Sequence, residues 1–209
     1  MKLAIFDFDG TLIRGDSIVP YLFMARRQRL MTLKQLWAAG LAALRCKAGA
    51  LDRAQAKGIA LSFRAKWPAQ RLEQLDQAFA AELLERVRPK ALEEMQARRA
   101  AGDLVVLLSA STDHYMRYVA SGLPADRLIC SRTDEKGSVL LNVHGEEKIR
   151  QLQAFLDSLP EKADLKESSA YGDSASDLPL LLSTGHPYLV NPKRKAKRLS
   201  QGKIPILRW

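Results

Sequence analysis

Acidic or small hydroxyl side chains follow predicted strands at three places in the chain. Asp7 and Asp9 come after the first strand, Ser109 after a second, and Asp173 and Asp177 after a third. In open parallel sheets, ligands bind at the carboxyl ends of the strands, so these side chains are expected to meet. Like charges packed together are costly unless a cation neutralises them, and hard carboxylate oxygens suit Mg²⁺. The pattern therefore predicts a magnesium-assisted reaction on a phosphorylated substrate.

The elements that must position these side chains alternate between helix and strand. Helices are expected at 89–101, 112–121, 146–159 and from 180 onward, and strands at 2–6, 104–108, 127–131, 138–143, 168–171 and 188–190. Short apolar strands alternating with helices predict a parallel sheet wrapped by helices, which is an α/β fold. The block between Ser17 and Arg88 differs, because its apolar residues recur at three- and four-residue spacing. About four helices are expected there, broken near Gly49 and at Pro68.

Composition and charge narrow the class of protein. The chain has 209 residues, of which 47% are hydrophobic and 27% charged, and this excludes a disordered chain or a disulfide-stapled miniprotein. Cys46 and Cys130 form no metal-ligand pattern, and the start of the chain shows no cleavable signal, so a cytoplasmic protein is expected. Of the net charge of +10, residues 14–88 carry +8, from 14 basic against 6 acidic residues. Such an imbalance favours anionic partners without choosing among them.

Four motifs, taken in order, resemble those of the haloacid dehalogenase superfamily. The segment 7–11, Asp-Phe-Asp-Gly-Thr, is similar to its first motif, Ser109 to the second, Lys148 to the third and 172–177 to the fourth. The stretch 171–192 resembles the phosphoserine-phosphatase-like branch, subfamily IB. The resemblance implies a Rossmann-like parallel-sheet core formed by residues 1–13 and 89–209. An all-helical class I cap, residues 14–88, would be inserted after the first strand.

The resemblance also implies a reaction. Asp7 would attack phosphorus and form an aspartyl-phosphate, while Asp9 would protonate the leaving alcohol and then deprotonate the hydrolytic water. Lys148 would place a fixed positive charge against the phosphoryl group. Lys136 and Lys162 are alternatives for this role. Lys148 is preferred because it lies at the start of a helix, after Gly145. The presence of Asp9 favours phosphate ester hydrolysis or phosphoryl transfer over dehalogenation, because an alkoxide leaving group needs a proton.

The remaining site residues are implied in the same way. Mg²⁺ would be held by Asp7, the backbone carbonyl of Asp9, and Asp173. The phosphoryl oxygens would be bound by the hydroxyl groups of Thr11 and Ser109 and by the amide of Ala110. Without the other motifs, Ser109 would be interpreted as an ordinary hydroxyl residue at the end of a strand. In the fourth motif, Gly172 and Asp177 would support the site. Asp177 would position Lys148 or a metal-bound water, or else serve only as a helix N-cap.

The substrate is left more open. Asp16 stands near the position where phosphoserine phosphatases carry a glutamate that meets the substrate amino group, and His114 lies just past the Ser109 loop. A small phosphorylated metabolite, of the phosphoserine or histidinol phosphate kind, is the expected substrate. The alternatives are a lipid-headgroup phosphatase of the phosphatidylglycerophosphate kind, a phosphotransferase, and a non-enzymatic binder of anionic surfaces. The oligomeric state is not predicted.

The positive charge of the cap is compatible with a membrane surface as a partner. Its apolar residues alternate with basic ones: Tyr21, Leu22, Phe23, Met24, Leu30, Met31 and Trp37 with Arg26, Arg27, Arg29 and Lys34. This composition could lie on an anionic membrane, but the favoured interpretation is that the apolar residues are the cap's own core. The basic run 193–198 is expected to be a solvated terminal helix rather than a nucleic-acid contact, because no aromatic residues interleave with it.

Overall fold

The computed structural model describes all residues, Met1–Trp209, and contains one seven-stranded sheet. The strands are β1 (Leu3–Phe6), β2 (Leu104–Thr112), β3 (Arg127–Thr133), β4 (Val139–Leu141), β5 (Ser169–Gly172), β6 (His186–Val190) and β7 (Ile206–Leu207). Their order is β4-β3-β2-β1-β5-β6-β7, and every neighbouring pair is parallel except β3 with β4. The predicted α/β fold with a parallel sheet is therefore confirmed.

Nine α-helices accompany the sheet. They are α1 (Ile18–Arg27), α2 (Leu33–Lys47), α3 (Arg53–Leu61), α4 (Ala69–Glu85), α5 (Pro89–Ala100), α6 (Asp113–Ser121), α7 (Glu146–Asp157), α8 (Leu178–Leu182) and α9 (Arg194–Leu199). The first four fall in the block predicted to be helical, with a 3₁₀ turn at Ser62–Lys66 between α3 and α4. Capping boxes at Thr32 and Asp52 begin α2 and α3. No helix has both the length and the hydropathy needed to cross a bilayer.

The helical insertion leaves and rejoins the sheet region at one place. The Arg88 N–H donates to the carbonyl of Leu12 at 2.9 Å, and Ile13 forms an isolated antiparallel bridge with Val87. The segments that lead into α1 and out of α4 are therefore hydrogen-bonded neighbours. One apolar cluster continues from the sheet into the insertion, and joins Phe6 of β1 to Phe79 of α4.

Several boundaries differ from the prediction. Strand β2 was expected to end before Ser109 but continues to Thr112, with a change of register between Ser109 and Thr112 that keeps the extended backbone paired with β3. The basic run is followed by β7, which pairs with β6. This strand was not predicted, because two residues are too few to show the alternation of apolar and polar side chains that indicates a strand. The second strand of the hairpin is shorter than expected and spans only Val139–Leu141.

Candidate active site

Two carboxylates meet because β1 and β5 are adjacent and parallel. Phe6 is paired with Tyr171, and the Asp7 N–H donates to the Tyr171 carbonyl at 2.9 Å, so Asp7 and Asp173 follow their strands at the same edge of the sheet. Asp177 joins them from the start of α8. One oxygen from each of these three buried carboxylates lies within 4.8 Å of the others. This trio, Asp7 with Asp173 and Asp177, is called the carboxylate cluster below.

Lys148 is buried against the carboxylate cluster. Its element, α7, begins after Gly145, whose φ of 61° lies in the left-handed region, and Lys148 is in the first turn. Its Nζ lies 2.6 Å from Asp7 Oδ1 and 2.6 Å from Asp177 Oδ1, with the side chain only 2% exposed. Burial favours a neutral amine, but the attraction of the two carboxylates outweighs it and raises the pKa of Lys148, so the ammonium stays charged.

One ammonium cannot balance two carboxylates, and the pKa values of these two groups move apart. Burial raises the pKa of the Asp7 carboxyl, and Lys148 only partly opposes this because it also serves Asp177. At Asp177 burial acts in the same direction, but the Lys148 charge and hydrogen bonds from Ser174 outweigh it and lower the pKa. Asp7 is therefore the member of the pair that lacks a full counter-charge.

Asp9 is held away from the carboxylate cluster by hydroxyl groups. Its Oδ1 accepts the Ser17 N–H at 2.8 Å, and its Oδ2 accepts the hydroxyl groups of Ser17, at 3.1 Å, and of Ser111. Tyr115 Oη lies 2.9 Å from Ser17 Oγ and extends the network into the apolar core. Burial, followed by the nearby charge of Asp16, raises the pKa of Asp9 to about 6. Asp9 therefore exchanges a proton close to neutral pH.

Asp173 is the member of the carboxylate cluster that contacts a lysine with a largely exposed side chain. Lys193, at the start of α9, places its Nζ 2.7 Å from Asp173 Oδ2. Burial nevertheless raises the pKa of Asp173. The carboxylate packs against Gly10, where φ is 84° and a Cβ would overlap the Asp173 side chain. Glycine is therefore required here both by backbone conformation and by space.

Among known proteins, a family model described as haloacid dehalogenase-like hydrolase matches residues 4–182. The chain belongs to the haloacid dehalogenase-like hydrolase family. The predicted superfamily is thereby confirmed, and with it an enzyme of the hydrolase class.

Individual proteins are also similar to this chain over most of its length. The chain is 28% identical over 216 residues to the inhibition of morphological differentiation protein of Streptomyces azureus, covering 98% of this chain and 77% of the relative. A Bordetella pertussis protein of unknown function has a structure with TM-score 0.87 and 23% identity, covering 99% of this chain and 97% of that one. A probable phosphoserine phosphatase of Vibrio cholerae has TM-score 0.73 and 18% identity, covering 99% and 60% of the two chains. The chain thus shares its fold with these two structures.

The phosphate-binding residues predicted for this family member lie close to the same edge. The Thr11 hydroxyl donates to Asp7 Oδ2 at 3.2 Å. Ser109 is buried, and its Oγ accepts the Ser111 N–H at 3.0 Å. The carbonyl of Ala110 accepts a hydrogen bond from Lys57 Nζ at 2.6 Å. Contact of these three residues with phosphate stays a prediction.

The two predicted substrate-binding residues are separated from each other. Asp16 is exposed, and its Oδ1 accepts the Ile18 N–H at 2.9 Å at the start of α1. His114 is buried, with Nε2 2.7 Å from Thr133 Oγ1. Burial, with the charges of Arg64 and Arg117, lowers the pKa of His114 to about 3. The neutral ring is hydrogen-bonded to Thr133, and its contact with the substrate stays a prediction.

The sequence interpretation missed four residues that touch this site. Ser17 and Ser111 hold Asp9, Lys193 contacts Asp173, and Lys57 extends from α3 to Ala110 and to Asn142 Oδ1, the latter at 2.7 Å. Burial lowers the pKa of Lys57 to about 8, although Asp16 and Asp9 oppose this. The two serines follow the first two motifs and could have been noticed. The contact of Lys57 with the second motif could not be predicted, because Lys57 and Ala110 are far apart in the sequence.

The donor set fits a divalent cation. Two ammonium groups, Lys148 and Lys193, contact the three clustered carboxylates, so negative charge is in excess. Burial raises the pKa values of Asp7 and Asp173, and the negative charge of Asp177 adds to the rise at both. A divalent cation would neutralise this charge, and an all-oxygen donor set is the kind that Mg²⁺ takes.

Proposed function

We propose that this protein is a Mg²⁺-dependent phosphatase that hydrolyses a small phosphomonoester through an aspartyl-phosphate intermediate. The observation that carries the proposal is the pairing of two aspartates with different surroundings on one loop. Asp7 contacts Lys148 within the carboxylate cluster, and Asp9, two residues later, is half-buried among hydroxyl groups with its pKa raised to about 6. One carboxylate is thus suited to attack phosphorus and the other to exchange a proton.

In the first step, a carboxylate oxygen of Asp7 attacks phosphorus and the bond between phosphorus and the ester oxygen breaks. Asp9 gives its proton to the departing oxygen, which leaves as an alcohol. Lys148, 2.6 Å from Asp7, offsets the charge that develops on the phosphoryl oxygens. The product of this step is an acyl phosphate on Asp7.

In the second step, a water molecule attacks the phosphorus of the acyl phosphate and gives a proton to the Asp9 carboxylate. The bond between phosphorus and the Asp7 oxygen breaks, so inorganic phosphate leaves and both aspartates return to their starting states. Ser17 and Ser111 keep the Asp9 carboxylate in one orientation through both transfers. Two opposite proton transfers at one group are efficient when its pKa lies near the working pH.

Asp7, Asp173 and the backbone carbonyl of Asp9 would hold the metal ion. When bound, Mg²⁺ supplies positive charge that keeps Asp7 ionised and neutralises the phosphoryl group. Asp177 acts on Lys148, whose ammonium it fixes at 2.6 Å, and Ser174 holds Asp177 in turn.

A small substrate is supported by what covers the site. Lys57 of α3 contacts Ala110, so the helical block, for which we keep the boundaries 14–88, reaches the residue next to Ser109. The Vibrio cholerae neighbour is a probable phosphoserine phosphatase, which supports a phosphoserine- or histidinol-phosphate-like monoester. Asp16 remains the candidate for contact with the substrate, because it is exposed and its charge acts on both Asp9 and Lys57.

The direct test is phosphate release from p-nitrophenyl phosphate and from a panel of phosphorylated metabolites, with Mg²⁺ and with a chelator. We expect turnover only with the metal, and we expect Asp7→Asn to reduce it to background because the nucleophile is lost. Asp157→Asn, the same change at an exposed aspartate of α7, should leave turnover unchanged.

Two results would contradict the proposal. One is the absence of phosphate release from every ester in the panel by folded protein with Mg²⁺. The other is full activity of Asp7→Asn, which would show that phosphate release does not proceed through this carboxylate.

A further inference from the structure

Helix α2 is apolar on the face that points to solvent as well as on the face that is buried. Ala39 and Ala42 are its buried residues. Leu33, Trp37, Leu41 and Leu44 are spaced so that they share one face, opposite to the buried alanines. Trp37 is 79% exposed and Leu44 64% exposed. A surface helix normally has polar residues there, so this face is unusual.

The exposed side chains form one continuous patch. Trp37, Leu41 and Leu44 line the same surface cavity of about 530 Å³, together with Gly40. Contiguous exposed apolar surface of this kind marks an interaction site, whereas scattered single residues do not. The face formed by Leu33, Trp37, Leu41 and Leu44 is called the α2 apolar face below.

The charged residues of the chain segment that carries this face all have the same sign. From Ile18 to Leu51 the chain contains no Asp or Glu, and it contains six basic residues: Arg26, Arg27, Arg29, Lys34, Arg45 and Lys47. All but Arg26 are exposed. The preceding helix α1 likewise exposes Val19 and Phe23. The partner of this surface therefore has to accept apolar side chains and carry negative charge.

A lipid surface satisfies both requirements, and a second copy of the chain does not. A two-fold dimer through the α2 apolar face would bring two basic segments together without any acidic residue from 18–51 to compensate. Anionic headgroups attract basic residues, while tryptophan and leucine enter the boundary between headgroups and acyl chains. We propose that α2 lies in the interface of anionic phospholipid membranes and attaches the protein peripherally.

The attachment is independent of the proposed chemistry. None of the residues of the carboxylate cluster, nor Asp9 or Lys148, lies between Ile18 and Leu51. Helix α2 packs against α3, which carries Lys57, so a lipid-bound α2 would have only one helix between it and the loop after Ser109. The proposal can therefore fail while the phosphatase proposal stands, and the reverse also holds.

Co-sedimentation of the full-length protein with vesicles tests the proposal. Two kinds of vesicle are needed, one of phosphatidylcholine alone and one with about a quarter phosphatidylglycerol. We expect binding to the anionic vesicles only, and a decrease as salt is raised, because basic residues contribute to it. The double variant Trp37→Gln/Leu44→Gln should partition at least about tenfold less strongly, since two apolar side chains no longer enter the interface.

The matched control is Leu140→Gln on β4, where a leucine is 69% exposed outside the α2 apolar face. It should bind vesicles as the wild type does, and all variants should keep the wild-type rate of phosphate release and circular dichroism spectrum. The proposal is overturned if the wild type ignores anionic vesicles, or if the double variant binds them as well as Leu140→Gln does. It is also overturned if light scattering shows a dimer that only the double variant loses, because a second copy then covers this face.

Discussion

Asp9 has to give a proton in the first step of the proposed reaction and take one in the second. Burial, and then the charge of Asp16, raise its pKa to about 6, so both protonation states are accessible near neutral pH. The hydrogen bonds from Ser17 and Ser111 act in the opposite direction and limit the rise. A side chain fixed in this way loses little entropy when it meets the leaving oxygen.

Substitution of Asp9 should affect esters according to their leaving groups. Asp9→Asn should lower kcat/KM for an alkyl phosphate by about 10²–10⁴-fold, the usual contribution of general acid catalysis. The loss should be smaller for p-nitrophenyl phosphate, because p-nitrophenolate leaves without a proton. Steady-state kinetics with both esters measures this, and kcat/KM isolates the formation of the acyl phosphate. Equal losses for the two esters would show that Asp9 does not protonate the leaving group.

At the scale of elements, the loop after β1 shapes the metal site through a glycine. Gly10 lies against the Asp173 carboxylate with φ at 84°, whereas Gly15 has nearly the same φ, 86°, and no atom within 4 Å of where a Cβ would stand. Both positions therefore need a residue that tolerates a positive φ, and only Gly10 borders the carboxylate cluster.

This difference gives a matched pair of variants. Gly10→Ala should weaken Mg²⁺ binding at least about tenfold, because the methyl group displaces Asp173 from its position. Gly15→Ala should lower the melting temperature less than Gly10→Ala, since it has the same backbone strain without the overlap with Asp173, and it should bind the metal normally. Isothermal titration with Mg²⁺ and thermal melting measure the two effects. Equal metal affinity in both variants would indicate that Asp173 does not need its present position.

The strands and helices that carry the site could be predicted because their signals are local. Apolar runs and the aspartates that follow them are visible in order along the chain, and β1 with Asp7 appears where it was expected. The register change that extends β2 past Ser109 was not predictable, since it depends on pairing with β3. The outward position of Trp37 was not predictable either, because the same spacing is expected for a residue of the cap's core.

On the scale of the whole molecule, the helical block and the sheet are joined by apolar packing and by Lys57. The apolar cluster continues from Phe6 to Phe79 without a break at the insertion. Lys57 adds a polar connection, with Nζ at 2.6 Å from the Ala110 carbonyl and 2.7 Å from Asn142 Oδ1. The relative position of the two parts is therefore fixed next to the second motif.

Removal of this polar connection should be measurable as stability. Lys57→Met keeps most of the apolar length of the side chain but removes its hydrogen bonds to the Ala110 carbonyl and to Asn142 Oδ1. At about 0.5–1.5 kcal/mol for each bond, the loss is about 1–3 kcal/mol. For a chain of this length, each kcal/mol lowers Tm by about 2–4 °C. Lys47→Met, at an exposed lysine of α2, should leave Tm unchanged. An unchanged Tm for Lys57→Met in a calorimetric scan would mean that Lys57 does not stabilise the connection between the two parts.

The hydrogen bond between Arg88 and Leu12 and the bridge between Ile13 and Val87 hold the two ends of the insertion together. Because both ends of the insertion are already neighbours, closing the chain at this junction imposes no particular length on what is inserted. Lengthening or replacing the inserted piece changes the loop-closure entropy only slightly, by about 0.6 kcal/mol for each doubling of length. A different inserted piece can therefore close at this junction, provided that it also supplies the hydrogen bonds that Ser17 donates to Asp9.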